Sequence, residues 1–124
     1  MNEQQVENKI NLSYTLENLK SLLLQICDRE NTFSHQQLVY WCDKFTLSHH
    51  EYEMDEQKWL DDVLSEDKVK YERAKAYGVA KDISWKWYFY MLKGTSYQDV
   101  QDEDLSHIDL PGDLYVKWLT ELYL

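Results

Sequence analysis

Leu16, Leu19, Leu23, Ile26 and Cys27 recur at intervals of three and four, with Glu17, Asn18, Lys20 and Gln25 between them. This spacing places the apolar side chains on one stripe of a helix, which Ser13 or Thr15 is positioned to cap. The next start is FSHQQL, where Ser34 stands at an N-cap, Gln37 is its reciprocal partner, and Phe33 with Leu38 form a hydrophobic staple. Leu38, Trp41, Cys42 and Phe45 continue that stripe. LSHHEY repeats the device with Ser48, Glu51, Leu47 and Tyr52, which predicts a third helix and a tight corner before it.

From Glu51 to about Tyr77 no residue breaks a helix, while Ser65 in SEDK is placed to cap a new one. The pattern therefore predicts one long helix or two in sequence. Tyr52, Trp59, Leu60, Val63 and Leu64 supply a first apolar face, and Val69, Arg73, Ala76 and Tyr77 a weaker second, with Gly78 as the stop. ISWKWYFYML, residues 83–92, fits two periods. As a strand it alternates Ile83, Trp85, Trp87, Phe89 and Met91 onto one face; as a helix it is apolar nearly all round, with Lys86 and Lys93 as the polar strip. Asp82 as N-cap and Gly94 past the end favour the helix, which then belongs at the centre of a bundle or partly in an interface. Ser96 and Asp99 cap a short helix, the acidic loop DEDLSHIDLPGD follows, and Asp113 opens a last helix with Tyr115, Trp118, Leu119 and Leu122.

The 124 residues suit one domain, 1–124, with residues 1–11 expected to fray. Three glycines and one proline are too few for many tight-turned strands. The fold expected is all-α, a compact bundle of five to six helices around an aromatic-rich central helix; the alternative is α+β with residues 83–92 as a strand. Cys27 and Cys42 lie in apolar patterns with no pairing signal and read as buried thiols in a reducing compartment. No basic leader followed by an apolar run and no membrane-length apolar stretch is present, so a soluble, cytoplasmic protein is expected.

The formal charge is −10, and it is blocked along the chain. Glu51, Glu53, Asp55, Glu56, Asp61, Asp62, Glu66 and Asp67 are opposed by Lys58 alone. Six bases against two acids follow from Lys68 to Lys86, and then Asp99, Asp102, Glu103, Asp104, Asp109 and Asp113 with no base. A charge run is ordinarily a solvated face. Like charges four apart, as in Glu51 with Asp55 or Asp62 with Glu66, nevertheless cost a few tenths of a kcal/mol each, which a chain using the field would accept. An acidic helical face with aromatic anchors such as Tyr52 and Trp59 suits a cationic protein surface, and carboxylates spaced along a helix can imitate a run of phosphates.

Motifs for catalysis do not assemble. His49 and Glu53 are at best half of a metal site. Asp102 and Asp104 open like a calcium loop, but His107 stands where its glycine belongs and Asp113 where its glutamate belongs. Cys27 or Cys42 with His35 or His107 would have to react from apolar stripes, and Asp61 with Asp62 point about 100° apart on a helix. No glycine-rich phosphate loop exists, so no cofactor and no enzyme activity are expected. Direct nucleic-acid binding through Lys68, Lys70, Arg73, Lys75 and Lys81, with Trp85 and Trp87 as stacking platforms, is opposed by the overall charge.

In size, acidity and lack of catalytic motif the chain is similar in type to bacterial immunity proteins that neutralise nuclease toxins and to phage-type inhibitors that imitate DNA. That likeness implies a binding protein whose partner is basic, a nuclease toxin or DNA-binding protein. The rival expectation is a structural or regulatory interaction protein, such as a homodimer joined through surplus aromatics.

Overall fold

The computed structural model describes residues 10–28, 30–92, with side chains through Phe89, and 110–123. Among them are six helices and no strand: α1 (Leu16–Ile26), α2 (His35–Ser48), α3 (Glu51–Met54), α4 (Glu56–Val63), α5 (Lys68–Leu92) and α6 (Gly112–Tyr123). The fold is an all-α bundle, and residues 83–92 are helical. The Gly94 stop, the short helix at Ser96 and Asp99, and the acidic loop before Leu110 fall outside the described residues.

Local chemistry sets the first two helix starts. The Asn18 amide donates to Thr15 Oγ1 at 3.2 Å, so Thr15 caps α1. At α2 the Gln37 amide donates to Ser34 Oγ at 3.1 Å and the Ser34 amide to Gln37 Oε1 at 2.9 Å. Both halves of the capping box are closed, and two backbone donors that the helix itself cannot satisfy gain acceptors.

Between Ser48 and Lys68 the chain departs from expectation. Ser48 does not cap a new helix; it is the last residue of α2, and its hydroxyl donates back to the Phe45 carbonyl at 2.8 Å. Leu47 is exposed, so the second staple does not close. The stretch expected as one or two helices is three. After the single turn of α3, Asp55 takes an extended conformation and its carboxylate accepts from the Lys58 amide at 3.2 Å, capping α4. Asp67, not Ser65, then starts α5: its carboxylate accepts from the Val69 amide and its carbonyl from the Tyr71 amide, each at 3.0 Å. Leu60, Leu64 and Val69, assigned to apolar faces, are exposed.

Helix α5 runs straight through both expected boundaries. Gly78 is no stop: a Cβ built there would sit 3.1 Å from Trp59 Cζ2, and the Trp59 indole, whose N–H donates to the Ala74 carbonyl at 2.8 Å, needs the space. Asp82 is no N-cap: it accepts from the Trp118 indole N–H at 2.8 Å, with the Lys86 and Lys117 ammonium groups at 3.3 and 3.9 Å. In each case a partner from another helix explains the residue. At 1.5 Å per residue, α5 is about 37 Å long, and α1, α2, α4 and α6 all pack against it.

Ala74, Ala76 and Ala80 are fully buried, small enough to let neighbouring helices approach. Ile83 and Trp87 extend the buried side, whereas Trp85 and Phe89 are 54% and 60% exposed. This part of α5 is therefore central on one side and leaves the Trp85 and Phe89 rings on the other. Helix α6 buries Tyr115, Trp118 and Leu122. His35 Nδ1, at the start of α2, accepts from the Leu110 amide at 2.9 Å and lies 2.7 Å from the Tyr115 hydroxyl.

Ile10 is buried, and the Trp41 indole N–H donates to the Leu12 carbonyl at 3.1 Å, which anchors the segment before α1. Cys42 is buried, but Cys27 sits exposed at the C-cap of α1, because the helix ends before that stripe position turns inward. No helix among the described residues is long and apolar enough to cross a membrane.

Candidate binding groove and acidic face

The acids between Glu51 and Asp67 divide by what they already do. Asp55 and Asp67 are engaged as helix caps. Asp62 is buried, accepting from the Tyr52 hydroxyl at 2.8 Å and lying 3.7 Å from Lys58 Nζ. Glu53, Glu56, Asp61 and Glu66 are exposed and Glu51 half-buried; Asp61 accepts from the Gln57 side chain at 2.9 Å. The acidic face thus exists on α3, α4 and the turn after it, but with fewer free carboxylates than the sequence count. Asp113 is exposed on α6, while Asp99, Asp102, Glu103 and Asp104 lie outside the described residues.

The two expected anchors are placed differently. Tyr52 is 2% exposed, so it is not a surface anchor. Burial, and then the hydrogen bond and charge of Asp62, push its hydroxyl up to about 12, with Arg73 opposing. Arg73 sits beside this cluster, so part of the basic stretch of α5 does fold back on the acidic block. Trp59 is half-buried, its ring laid over Gly78.

The packing of α2 against α5 forms a pocket that sequence reasoning missed. Asp43, Thr46, Tyr77, Ser84, Trp85 and Phe89 line it, with Glu53, Lys81 and Tyr88 completing the wall, and its volume is about 330 Å³. A second, more polar pocket shares Glu53, Tyr77 and Lys81 and continues past Glu56 to Trp59 and Gly78. The two are neighbours with shared walls, an aromatic end beside Trp85 and Phe89 and a second, more polar one beside the acidic face. At the aromatic end the Trp85 and Phe89 ring centroids are 5.4 Å apart, on the exposed side of α5.

Asp43 is the charged group of the aromatic end. Burial pushes its carboxyl above the ordinary range, countered in part by the nearby Ser84 hydroxyl and by the Tyr88 hydroxyl, which donates at 3.3 Å. None of the ion pairs among the described residues involves Asp43. Two hydroxyl oxygens on the same lining, Tyr77 Oη and Ser84 Oγ, are buried without a hydrogen bond of good geometry. The one sequence signal was an acid at Asp43 directly after the buried Cys42; its partners on α5 are brought in only by the helix pairing.

The histidine and buried thiol of α2 are tied into packing. His49 Nδ1 lies 2.8 Å from Ser48 Oγ, and its ring stacks on Phe45 and Tyr52. Among the described residues no group of three or more His, Cys, Asp or Glu is arranged to hold a metal ion. Burial, with the charge of Asp43, pushes the Cys42 thiol well up, which suppresses the thiolate a nucleophile needs. No protein-family model, curated protein or solved structure matches the chain.

Proposed function

We propose that this protein binds and masks a basic protein partner, in the manner of an immunity protein against a nuclease toxin or an inhibitor that imitates DNA. The observation that carries this reading is a pair of neighbouring pockets with shared walls. Exposed carboxylates of α3 and α4 border one, and exposed aromatic rings of α5 the other. Complementary charge speeds encounter and selects the partner, while aromatic groups supply most of the contact energy. The partner-facing carboxylates are Glu51, Glu53, Glu56, Asp61 and Glu66, with Trp85 and Phe89 replacing Tyr52 as anchors.

The test is capture of partners from the protein's own host lysate at low and high salt, beside a Glu56→Lys/Asp61→Lys variant. Both substituted residues are exposed, so the fold should survive. A basic protein that is retained at low salt, released at high salt and lost with the variant supports the reading. Retention by the variant at low salt removes it. Exposure of the adjacent Trp85 and Phe89 also favours a second reading, self-association through that pair. Sedimentation showing a salt-insensitive dimer that Trp85→Ala dissociates would select it.

A further inference from the structure

We propose that the Asp43 pocket between α2 and α5 is a guanidinium site, which receives an arginine side chain of the basic partner. The inference rests on the partner reading above and names the chemistry of one contact within it. Asp43 is a half-buried carboxylate with no cation among the described ion pairs, and it shares the pocket lining with the rings of Tyr77, Trp85, Tyr88 and Phe89. A buried polar group left unpaired costs about 1–3 kcal/mol. Tyr77 Oη, on a residue more than nine-tenths buried, is one such group on the same lining, while the Ser84 hydroxyl bears on Asp43 itself.

The ligand's charge and shape follow from these groups. Asp43 and Glu53 oppose an anion, and Lys81, the one basic residue of the lining, extends over the Tyr77 ring at 5.9 Å without pairing with Asp43. A volume of about 330 Å³ is at the small end of ligand pockets, fit for a side chain rather than a nucleotide. An ammonium group offers three donors around a point. A guanidinium offers five in a plane, enough to engage both carboxylate oxygens at once, and its flat faces stack on rings such as Trp85 and Tyr88. Arginine matches the carboxylate in a flat, two-pronged fit and stacks on the rings; lysine meets the charge without the fork or the flat face.

Titration of the intact protein with N-acetyl-arginine amide, followed by the Trp85 indole resonance in a nitrogen–proton correlation spectrum, tests this without knowledge of the partner. The resonance is assigned by its loss in Trp85→Phe. The expected result is a saturable shift in the millimolar range, with the uncharged isostere N-acetyl-citrulline amide giving none and the lysine analogue binding more weakly. Asp43→Asn keeps an oxygen for the Tyr88 hydroxyl and should weaken arginine about tenfold or more, the worth of one hydrogen bond to a charged group. Ser84→Ala, a smaller change, should weaken it less. No saturable shift, an equal response to citrulline, or full binding by Asp43→Asn would overturn the site. That failure is separable from failure of the partner reading, because the Glu56→Lys/Asp61→Lys capture leaves the pocket untouched.

Discussion

Replacing a glycine by alanine in mid-helix ordinarily stabilises by about 0.5–1 kcal/mol, because the chain has less freedom to lose. At Gly78 a Cβ would meet the Trp59 ring at 3.1 Å, and that ring is tied to the Ala74 carbonyl of the same helix. It has little room to retreat, and overpacking of this kind costs about 1–3 kcal/mol. Gly78→Ala should therefore destabilise by about 1 kcal/mol, read as a lower urea midpoint. Asp43 poses the opposite case. Burial raises its carboxyl, so between the ordinary 3.8 and its native value the folded state holds a proton that the unfolded state has lost, and stability falls as pH rises through that window. Asp43→Asn should be more stable than the parent at neutral pH, with the difference shrinking as pH falls towards 3.8. Urea unfolding of both proteins across that range checks it. A carboxylate kept at a cost to stability is what a binding site would retain.

Among the helices, what was legible from sequence was what neighbouring residues decide. The capping box at Ser34 and Gln37 needs only the four residues it spans, and it formed as expected. The boundaries assigned to Gly78 and Asp82 failed because their partners, Trp59 and Trp118, arrive from other helices. The Asp43 pocket was illegible for the same reason: Tyr88 reaches Asp43 across 45 residues, and only the pairing of α2 with α5 joins them. Asp82 lends itself to a test of how α6 is held. Asp82→Ala leaves the buried Trp118 indole N–H without an acceptor, which should cost about 1–3 kcal/mol, while the exposed lysine contacts add little. Asp82→Asn keeps an acceptor oxygen and should lose less; denaturant curves for the pair separate the hydrogen bond from the charge.

Across the whole molecule, a formal charge of −10 opposes compaction. Adding salt from a few millimolar to about 0.15 M brings the screening length to about 8 Å, so the thermal midpoint should rise over that interval, as calorimetry would show. A falling midpoint would mean that pairs such as Lys58 with Asp62 outweigh the repulsion. The bundle also carries three indole N–H groups that each grip a different part of the chain: Trp41 the segment before α1, Trp59 the join of α4 to α5, and Trp118 the join of α6 to α5. Each of these protons is shielded from solvent exchange only while its own segment stays docked. Their three exchange rates therefore form a built-in clock, reporting in one native sample the order in which the lead-in, α4 and α6 leave α5, and which of them travels together as a unit.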